Sequence, residues 1–600
     1  MTNNRFILDI INGLKIPFVS LPSQNFKPNP IRCSWEEKLL IDNEISKYLQ
    51  KGIVTETTHC SSEFVSQIFP RPKKSGGVRI ILNLSKLNEG VKYEHFKMET
   101  LNSVLMLIRR NCFMGSIDLQ DAYYSININP DYRKYLRFIW NSKLYEFTCL
   151  PNGLSCAPRV FTKILKPIYE NLRKLGLISV YFLDDSWLMG NTFDDCQNNI
   201  NKTANLLQNS GFIINEAKSI RVPTQSIQFL GFNLDSVQMI ISLPQDKIEN
   251  VTNLCNEILT LNRFKIRFLA KLIGVLVSSL PAVKNGELYY RYLELNRNNA
   301  LKKCGGNFDG ITSLDSEARE EVIWWLKNVG DAKKDLVEPE PSLVISTDAS
   351  LLGWGAEFES NSTGGLWNSE ESSLHINVLE LKAIEFGLKS FLNKSHGQHI
   401  RIKSDNTTAI AYINNKGGVK SIPCHRVAKD IWEWAVTRNN HLSAQHLPGS
   451  ENIIADRASR IHDVNTEWML SNSVFSKIEE SFGVREIDLF ASRLNFKCKP
   501  YVSWKPDPDA FKVDAFLCKW SEYNFYAFPP FSMIAKTLMK IDTDGATGVL
   551  VCPIWPTQAW FPRLMSMLID APLILPRRVL SLPFRKDLAT SEAFRTESFA

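Results

Sequence analysis

The sequence predicts a multidomain chain of α/β and α+β folds, and three observations predict it. Two short apolar runs, Ser116 to Tyr124 and Tyr181 to Met189, each carry acidic residues inside a strand-like pattern. A second series of strand-like runs carrying Asp or Glu follows between Val344 and Asp456. Beyond about residue 475, strands alternate with helical stretches, as in a small α/β sheet. A length of 600 residues suits about three or four domains with full cores.

The first run, Ser116-Ile117-Asp118-Leu119-Gln120-Asp121-Ala122-Tyr123-Tyr124, reads as a strand. The second reads as a hairpin, with Val180 to Leu183 going in, Asp184-Asp185 at the tip and Ser186 to Met189 returning. Strands disfavour Asp, and carboxylates resist burial unless paired or metal-bound. Asp118, Asp184 and Asp185 drawn from two strands repel one another without divalent cations. With cations they make the oxygen-rich site that Mg²⁺ prefers. A lone Asp-Asp is ordinarily a solvated turn, so the neighbouring segments decide. Leu150-Pro151-Asn152-Gly153-Leu154-Ser155-Cys156-Ala157-Pro158 opens a helix near Phe161, and Gly211-Phe212, Lys218 and Phe229-Leu230-Gly231-Phe232 follow.

In this order the motifs resemble the palm motifs of reverse transcriptases, those of DIRS-type retrotransposons above all, over about Glu36 to Leu243. The resemblance implies a right-hand polymerase with fingers and palm over 36–243, behind an N-terminal extension at 1–35. It implies that Asp118, Asp184 and Asp185 hold two Mg²⁺ or Mn²⁺ ions. Tyr123 matches the aromatic gate that crowds a ribose 2′-hydroxyl, and Lys218 the lysine that protonates the pyrophosphate leaving group. Lys73, Lys74 and Arg79 around Gly76-Gly77 match a basic hairpin that grips the triphosphate, and Asp121, Asn152 and Gly153 complete the nucleotide site. Three departures stand out: Phe182 replaces the usual Tyr before Leu-Asp-Asp, Asn152 the usual Gln, and Asn83 and Ser85 the usual Asp and Arg. None removes a metal ligand.

The later acids form their own series. Val344-Ile345-Ser346-Thr347-Asp348 is a strand ending in Asp, Gly353-Trp354-Gly355 looks like its hairpin return, and Glu380 falls near the start of a helical pattern. Ile400 to Ser404 is a strand leading to Asp405, and His446 precedes Asp456 after a Leu-Pro-Gly turn. Together they resemble the Asp-Glu-Asp-Asp set of ribonuclease H domains over roughly 341–462. That resemblance implies Asp348, Glu380, Asp405 and Asp456 as ligands of a second two-metal site, with His446 assisting proton transfer or product release. Contacts to 2′-hydroxyls across the wide minor groove would supply specificity for the RNA strand.

Between the two sets, 244–338 reads as a helical thumb and connection, where Arg263, Arg267 and Lys271 at i, i+4 and i+8 are expected to line one helix face and track phosphates. The segment 475–600 resembles the methyltransferase-like domain of DIRS-type elements. Active relatives place Asp or Asn before Pro-Pro-aromatic, whereas Phe528 stands before Pro529-Pro530-Phe531 here. The expectation is a retained fold, binding nucleic acid or adenosylmethionine near Asp488 if it binds anything, without methyl transfer.

Composition agrees. Net charge is +7, suited to polyphosphate partners. The 12 cysteines show no Cys-x-x-Cys or zinc spacing, which points to reduced thiols and an intracellular protein, cytoplasmic or nuclear. No signal pattern or membrane-length apolar run is seen. The reading is an RNA-directed DNA polymerase with ribonuclease H, whose partners are an RNA template, a DNA primer, an RNA–DNA hybrid and deoxynucleoside triphosphates. The alternatives are a decayed or domesticated copy that binds nucleic acid without catalysis, or a Ty3-like or pararetroviral polymerase fragment.

Overall fold

The computed structural model describes residues 4–24, 33–72, 78–337, 339–462, 468–575, 580–581 and 598–599. It divides into two compact units, the first comprising 1–250, 281–283 and 330–337, the second 251–280, 284–329 and 338–600. Among the described residues no helix is long and apolar enough to cross a membrane.

In the first unit, helix α1 (Trp35–Gln50) starts at a capping box in which Ser34 and Glu37 satisfy each other's backbone N–H. The hairpin β1 (Ile68–Pro72) and β2 (Val78–Leu82) follows. Its tip, with Lys73, Lys74, Gly76 and Gly77, lies outside the described residues. The central sheet is built from β3 (Phe113–Gln120), β4 (Ile178–Phe182), β5 (Asp185–Gly190) and β7 (Ile220–Thr224), in the order β7-β3-β5-β4, with β6 (Ile213–Ile214) pairing the end of β3.

Two helices pack on this sheet. Helix α2 (Ala157–Lys174) buries Phe161, Leu165, Ile168, Tyr169 and Leu172, a helical stripe. Helix α3 (Phe193–Asn209) is capped by Thr192 and buries Cys196, Ile200, Ala204 and Leu207. Its close approach depends on Gly190, where any Cβ would overlap the Cys196 backbone. Arg137 is buried beside this core, 2.7 Å from Glu63 and 2.8 Å from Glu146. The two carboxylates compensate the buried guanidinium charge.

The second unit begins with helices α4 (Ile266–Ser279), α5 (Arg291–Lys303) and α6 (Ser316–Asn328). Here the expected basic face is corrected. Arg263 lies in the bend before Phe264-Lys265, which pairs as a short strand with Ile311-Thr312, so it precedes the helix rather than lining it. Arg267 is on α4 but pairs with Asp309 at 3.0 Å, while Lys271 is exposed. Burial of Phe264 against the neighbouring strand, which a periodicity count does not see, starts the helix three residues after Arg263.

Five strands then form one sheet: β8 (Leu343–Ala349), β9 (Gly353–Phe358), β10 (Asn361–Leu366), β11 (His399–Ser404) and β12 (His441–His446), in the order β10-β9-β8-β11-β12. The first three run antiparallel, whereas β8, β11 and β12 run parallel. Helix α7 (Ile376–Leu392) covers one face together with α8 (Ile422–Thr437), and α9 (Ile453–Arg460) lies over β8 to β10 on the other. Gly355 and Gly364 make room for α9, since a Cβ at either would overlap its backbone.

The C-terminal part has a small parallel sheet, β13 (Ile487–Asp488), β14 (Phe525–Ala527) and β15 (Gly548–Leu550), with helix α10 (Ile534–Asp544) between the last two strands. The apolar run Gly548 to Pro553 forms two short strands. Cys552-Pro553 leaves the parallel sheet to pair antiparallel with Ser598-Phe599. Arg493 anchors this part to the edge of the five-stranded sheet, donating to the Leu366 carbonyl and pairing with Glu371 at 2.8 Å. The contact covers an edge that would otherwise expose unpaired backbone.

Candidate active sites

Asp118 on β3 and Asp185 on β5 are cross-strand partners. The β4–β5 hairpin closes with Phe182 opposite Asp185, so its two turn residues are Leu183 and Asp184, with Leu183 at φ +54°. The tip is thus one residue earlier than the sequence pattern suggested. Asp185 belongs to the strand and faces Asp118, while Asp184 stands in the turn and accepts the Leu119 N–H at its carbonyl, 2.9 Å away. The Asp118 N–H donates to Ser219 Oγ at 3.0 Å, fixing the end of β3.

Asp118 and Asp184 border a cavity of about 300 Å³ that also meets Arg79, Asp121, Tyr123, Asn152 and Lys218, with Asp185 beside Asp118 on the next strand. Lys218 Nζ lies 3.9 Å from Asp118 Oδ2. Burial, with the charges of Asp184 and Asp118 added, pushes the Asp185 carboxyl up to about 6. Asp184 is reached by solvent, yet the protein packed around it and the Asp118 charge hold it above the ordinary carboxylate range. Tyr123, half-buried edge-to-face on Phe161 at 5.4 Å, is raised to about 12 by burial and then by Asp184. Asn152 donates its amide to the Tyr124 hydroxyl at 3.2 Å. Gly153 has φ +105°, and a Cβ there would come 2.9 Å from the Leu82 carbonyl, which explains glycine at that point.

The second acidic site lies in the second unit. Asp348, Glu380 and Asp405 bring ligand oxygens within 4.8 Å of one another, the one set of three acidic or sulfur or imidazole groups that does so among the described residues. Glu380 is buried with Oε2 lacking any hydrogen-bond partner, and burial followed by the Asp348 and Asp405 charges pushes it up to about 9. Asp348 is raised by burial as well, although Ser459 Oγ donates to it at 2.6 Å. Asp456 stands apart from the three, paired with Arg460 at 2.7 Å. His446 ends β12 and is exposed.

In the C-terminal sheet, Asp488 is buried, accepts the N–H groups of Phe490 and Lys497, and is pushed up to about 7 by burial. Phe528 directly follows β14 and offers no acceptor.

Residues 72–234 match the family described as reverse transcriptase (RNA-dependent DNA polymerase). The chain carries a reverse transcriptase domain. The matched residues include the central sheet and strand β2. Among curated relatives, the enzymatic polyprotein of cauliflower mosaic virus (strain Strasbourg) is 23% identical over 474 residues, covering 74% of this chain and 64% of the relative. That of figwort mosaic virus is 21% identical over 456 residues, with 73% and 64% covered. The chain therefore spans somewhat less than two thirds of the length of these relatives. A foamy viral protease–reverse transcriptase in complex with double-stranded DNA superposes with a TM-score of 0.46 at 17% identity, over 75% of this chain and 94% of that one.

Some residues around the two acidic sites did not stand out in the sequence. Lys51 pairs with Asp121 at 2.7 Å, bringing a cation from the end of α1 to the cavity. Ser219 and Ser459 each hold one carboxylate strand or side chain, and Asn452 donates to the Thr347 carbonyl at 2.9 Å. Only Ser459 left a signal, three residues after Asp456 on a helical pattern, which places both on one face.

Proposed function

We propose that the chain is an RNA-directed DNA polymerase with an attached hybrid-specific ribonuclease H, copying retroelement RNA into DNA. The observation that carries the polymerase reading is the register of Asp118 against Asp185, with Asp184 in the adjoining turn, at the floor of a cavity edged by Arg79, Lys218 and Tyr123. Asp118 and Asp184 line that space with Asp185 next to Asp118, a set that could close on divalent cations, and burial with mutual like charge raises Asp184 and Asp185. Such ions, when bound, acidify the attacking hydroxyl and neutralise phosphate charge. Arg79 and Lys218 are positioned to meet the triphosphate, and Tyr123 to press on the sugar. Asn152 would orient the nucleotide.

For the ribonuclease H, support comes from the orphaned Glu380 oxygen among Asp348 and Asp405. A buried carboxylate without a partner is costly unless a cation satisfies it. Asp456 and His446 lie at the same end of the sheet, and a cation would draw Asp456 away from Arg460. The partners follow from this chemistry: RNA template, DNA primer, hybrid and deoxynucleotides. A DIRS-type origin rests on the C-terminal segment, and a pararetroviral origin is equally compatible with the relatives matched. Methyl transfer is absent from the proposal because Phe528 cannot accept a hydrogen bond from a target amine.

The test is primer extension on an RNA template with Mg²⁺, beside an Asp118→Ala/Asp184→Ala control. Extension lost in the control is the expected result. A folded, hybrid-binding chain with no extension would move the function to a non-catalytic nucleic-acid binder.

A further inference from the structure

On β8, β11 and β12 the side chains alternate between two faces. Ile345, Ile400, Ile402 and Leu442 go into the core beneath α7 and α8. The other face carries Val344 and Ser346, then Arg401 and Lys403, then Ser443 and Gln445, in matched rows. Val344, Arg401 and Ser443 form one row, and Ser346, Lys403 and Gln445 the next. Continuing each strand by two residues along this face reaches Asp348 and Asp405 of the acidic site. Helix α9 shields this side of β8 to β10 and holds Asp348 through Ser459. It leaves the rows on β11 and β12 half-open to solvent.

Arg401 and Lys403 are half-buried, and neither has an acidic partner among the described residues. Most other half-buried cations of this unit are paired, as Arg493 is with Glu371 and Lys416 with Glu287. On β8, β11 and β12 these rows carry no carboxylate before the acidic set itself, and the next one along is Glu357 on β9, opposite Ser346. Two cations on alternate residues of a strand stand about 6.6 Å apart, comparable to successive phosphates along one nucleic-acid strand. Ser346 and Gln445 beside them can donate hydrogen bonds of the kind that phosphates accept, whereas the Ser443 hydroxyl is held by His399 Nε2 at 2.8 Å.

We propose that the β11–β12 face is a phosphate-backbone track, on which Arg401 and Lys403 hold one strand of a nucleic-acid duplex leading into the site of Asp348, Glu380 and Asp405. This deepens the hybrid-cleavage reading and rests on it. The track acts through charge and spacing and reads no base, so it supplies affinity and register without sequence preference. It is a positioning surface, set back from the reacting phosphate by the length of the row.

The experiment is the Arg401→Gln/Lys403→Gln double variant of the full chain, assayed for cleavage of an RNA–DNA hybrid across a range of salt. The expected result is a KM raised about tenfold with kcat unchanged. The slope of log KM against log salt should fall by roughly 0.9 for each lost phosphate contact. Mg²⁺ binding and the melting temperature should stay those of the parent, which separates the track from damage to the metal site. An unchanged KM and salt slope would overturn the proposal, as would a loss confined to kcat. Should the parent chain cleave no hybrid, the cleavage reading fails by itself, and a photo-crosslinking residue in place of Gln445 then reads the track directly. Crosslinking to a hybrid that disappears in the double variant supports it, and no crosslink at all overturns it.

Discussion

Asp118 and Asp185 face each other across adjacent antiparallel strands of the central sheet, and the two-residue turn beside them presents Asp184 to the cavity that Asp118 lines. The three acids are therefore set by strand register, which a single-residue slip would destroy. The like charges at the head of the sheet are a liability that Lys218, 3.9 Å from Asp118, offsets in part and that a bound cation would offset further.

Replacement of Asp184 by Asn is expected to lower DNA synthesis by at least about a thousandfold, the scale of several kcal/mol of transition-state charge stabilisation. Hybrid cleavage should persist, because its candidate ligands Asp348, Glu380 and Asp405 belong to the other unit. Primer extension and hybrid cleavage measured on the same preparation test this, and loss of both activities together would sink the two-site account.

Tyr123→Ala should raise ribonucleotide incorporation. The ring is braced by Phe161 at 5.4 Å, so it cannot swing aside for a 2′-hydroxyl. Competition between matched ribo- and deoxynucleotides gives the readout, and unchanged sugar selectivity would remove Tyr123 from the gate.

Glu380 gives a pH prediction. Its carboxyl is raised to about 9 in the metal-free fold, against about 4.3 in an unfolded chain. The folded state keeps the proton longer, so the stability associated with the neutral form is full below the unfolded value and is lost as pH rises toward the folded one. Glu380→Gln should flatten this fall in melting temperature. At pH 7, Mg²⁺ uptake by the parent should release a proton that the variant does not release, read by calorimetry in buffers of different ionisation enthalpy. Equal release from both would contradict the assignment.

Gly355→Ala should cost about 1–3 kcal/mol by overpacking, since its Cβ would come 2.6 Å from the Ser459 backbone nitrogen. Displacement of α9 should weaken hybrid cleavage through Ser459 and Asp456 while DNA synthesis continues. Thermal melting with both assays checks it.

Much of this was legible in the residues. Asp118, Asp184 and Asp185 stand out through the ordered segments around them, and Asp348, Glu380 and Asp405 as an ordered series at the ends of apolar runs or the start of a helix. Local pattern could not place the hairpin tip, since the φ of Leu183 is chosen by pairing with β3 rather than by its own side chain. It could not keep Arg263 off the helix face either, because Phe264 is claimed by a distant strand. The sequence by itself determined which chemical groups are available and in what order along the chain. Tertiary structure alone decided which of them meet: that Ser459 holds Asp348, that Lys51 reaches Asp121, and that Glu380 is left with an unsatisfied oxygen. The physical reason is that charge pairing and desolvation depend on distances between segments far apart in the chain, whereas propensity and periodicity report only on neighbours.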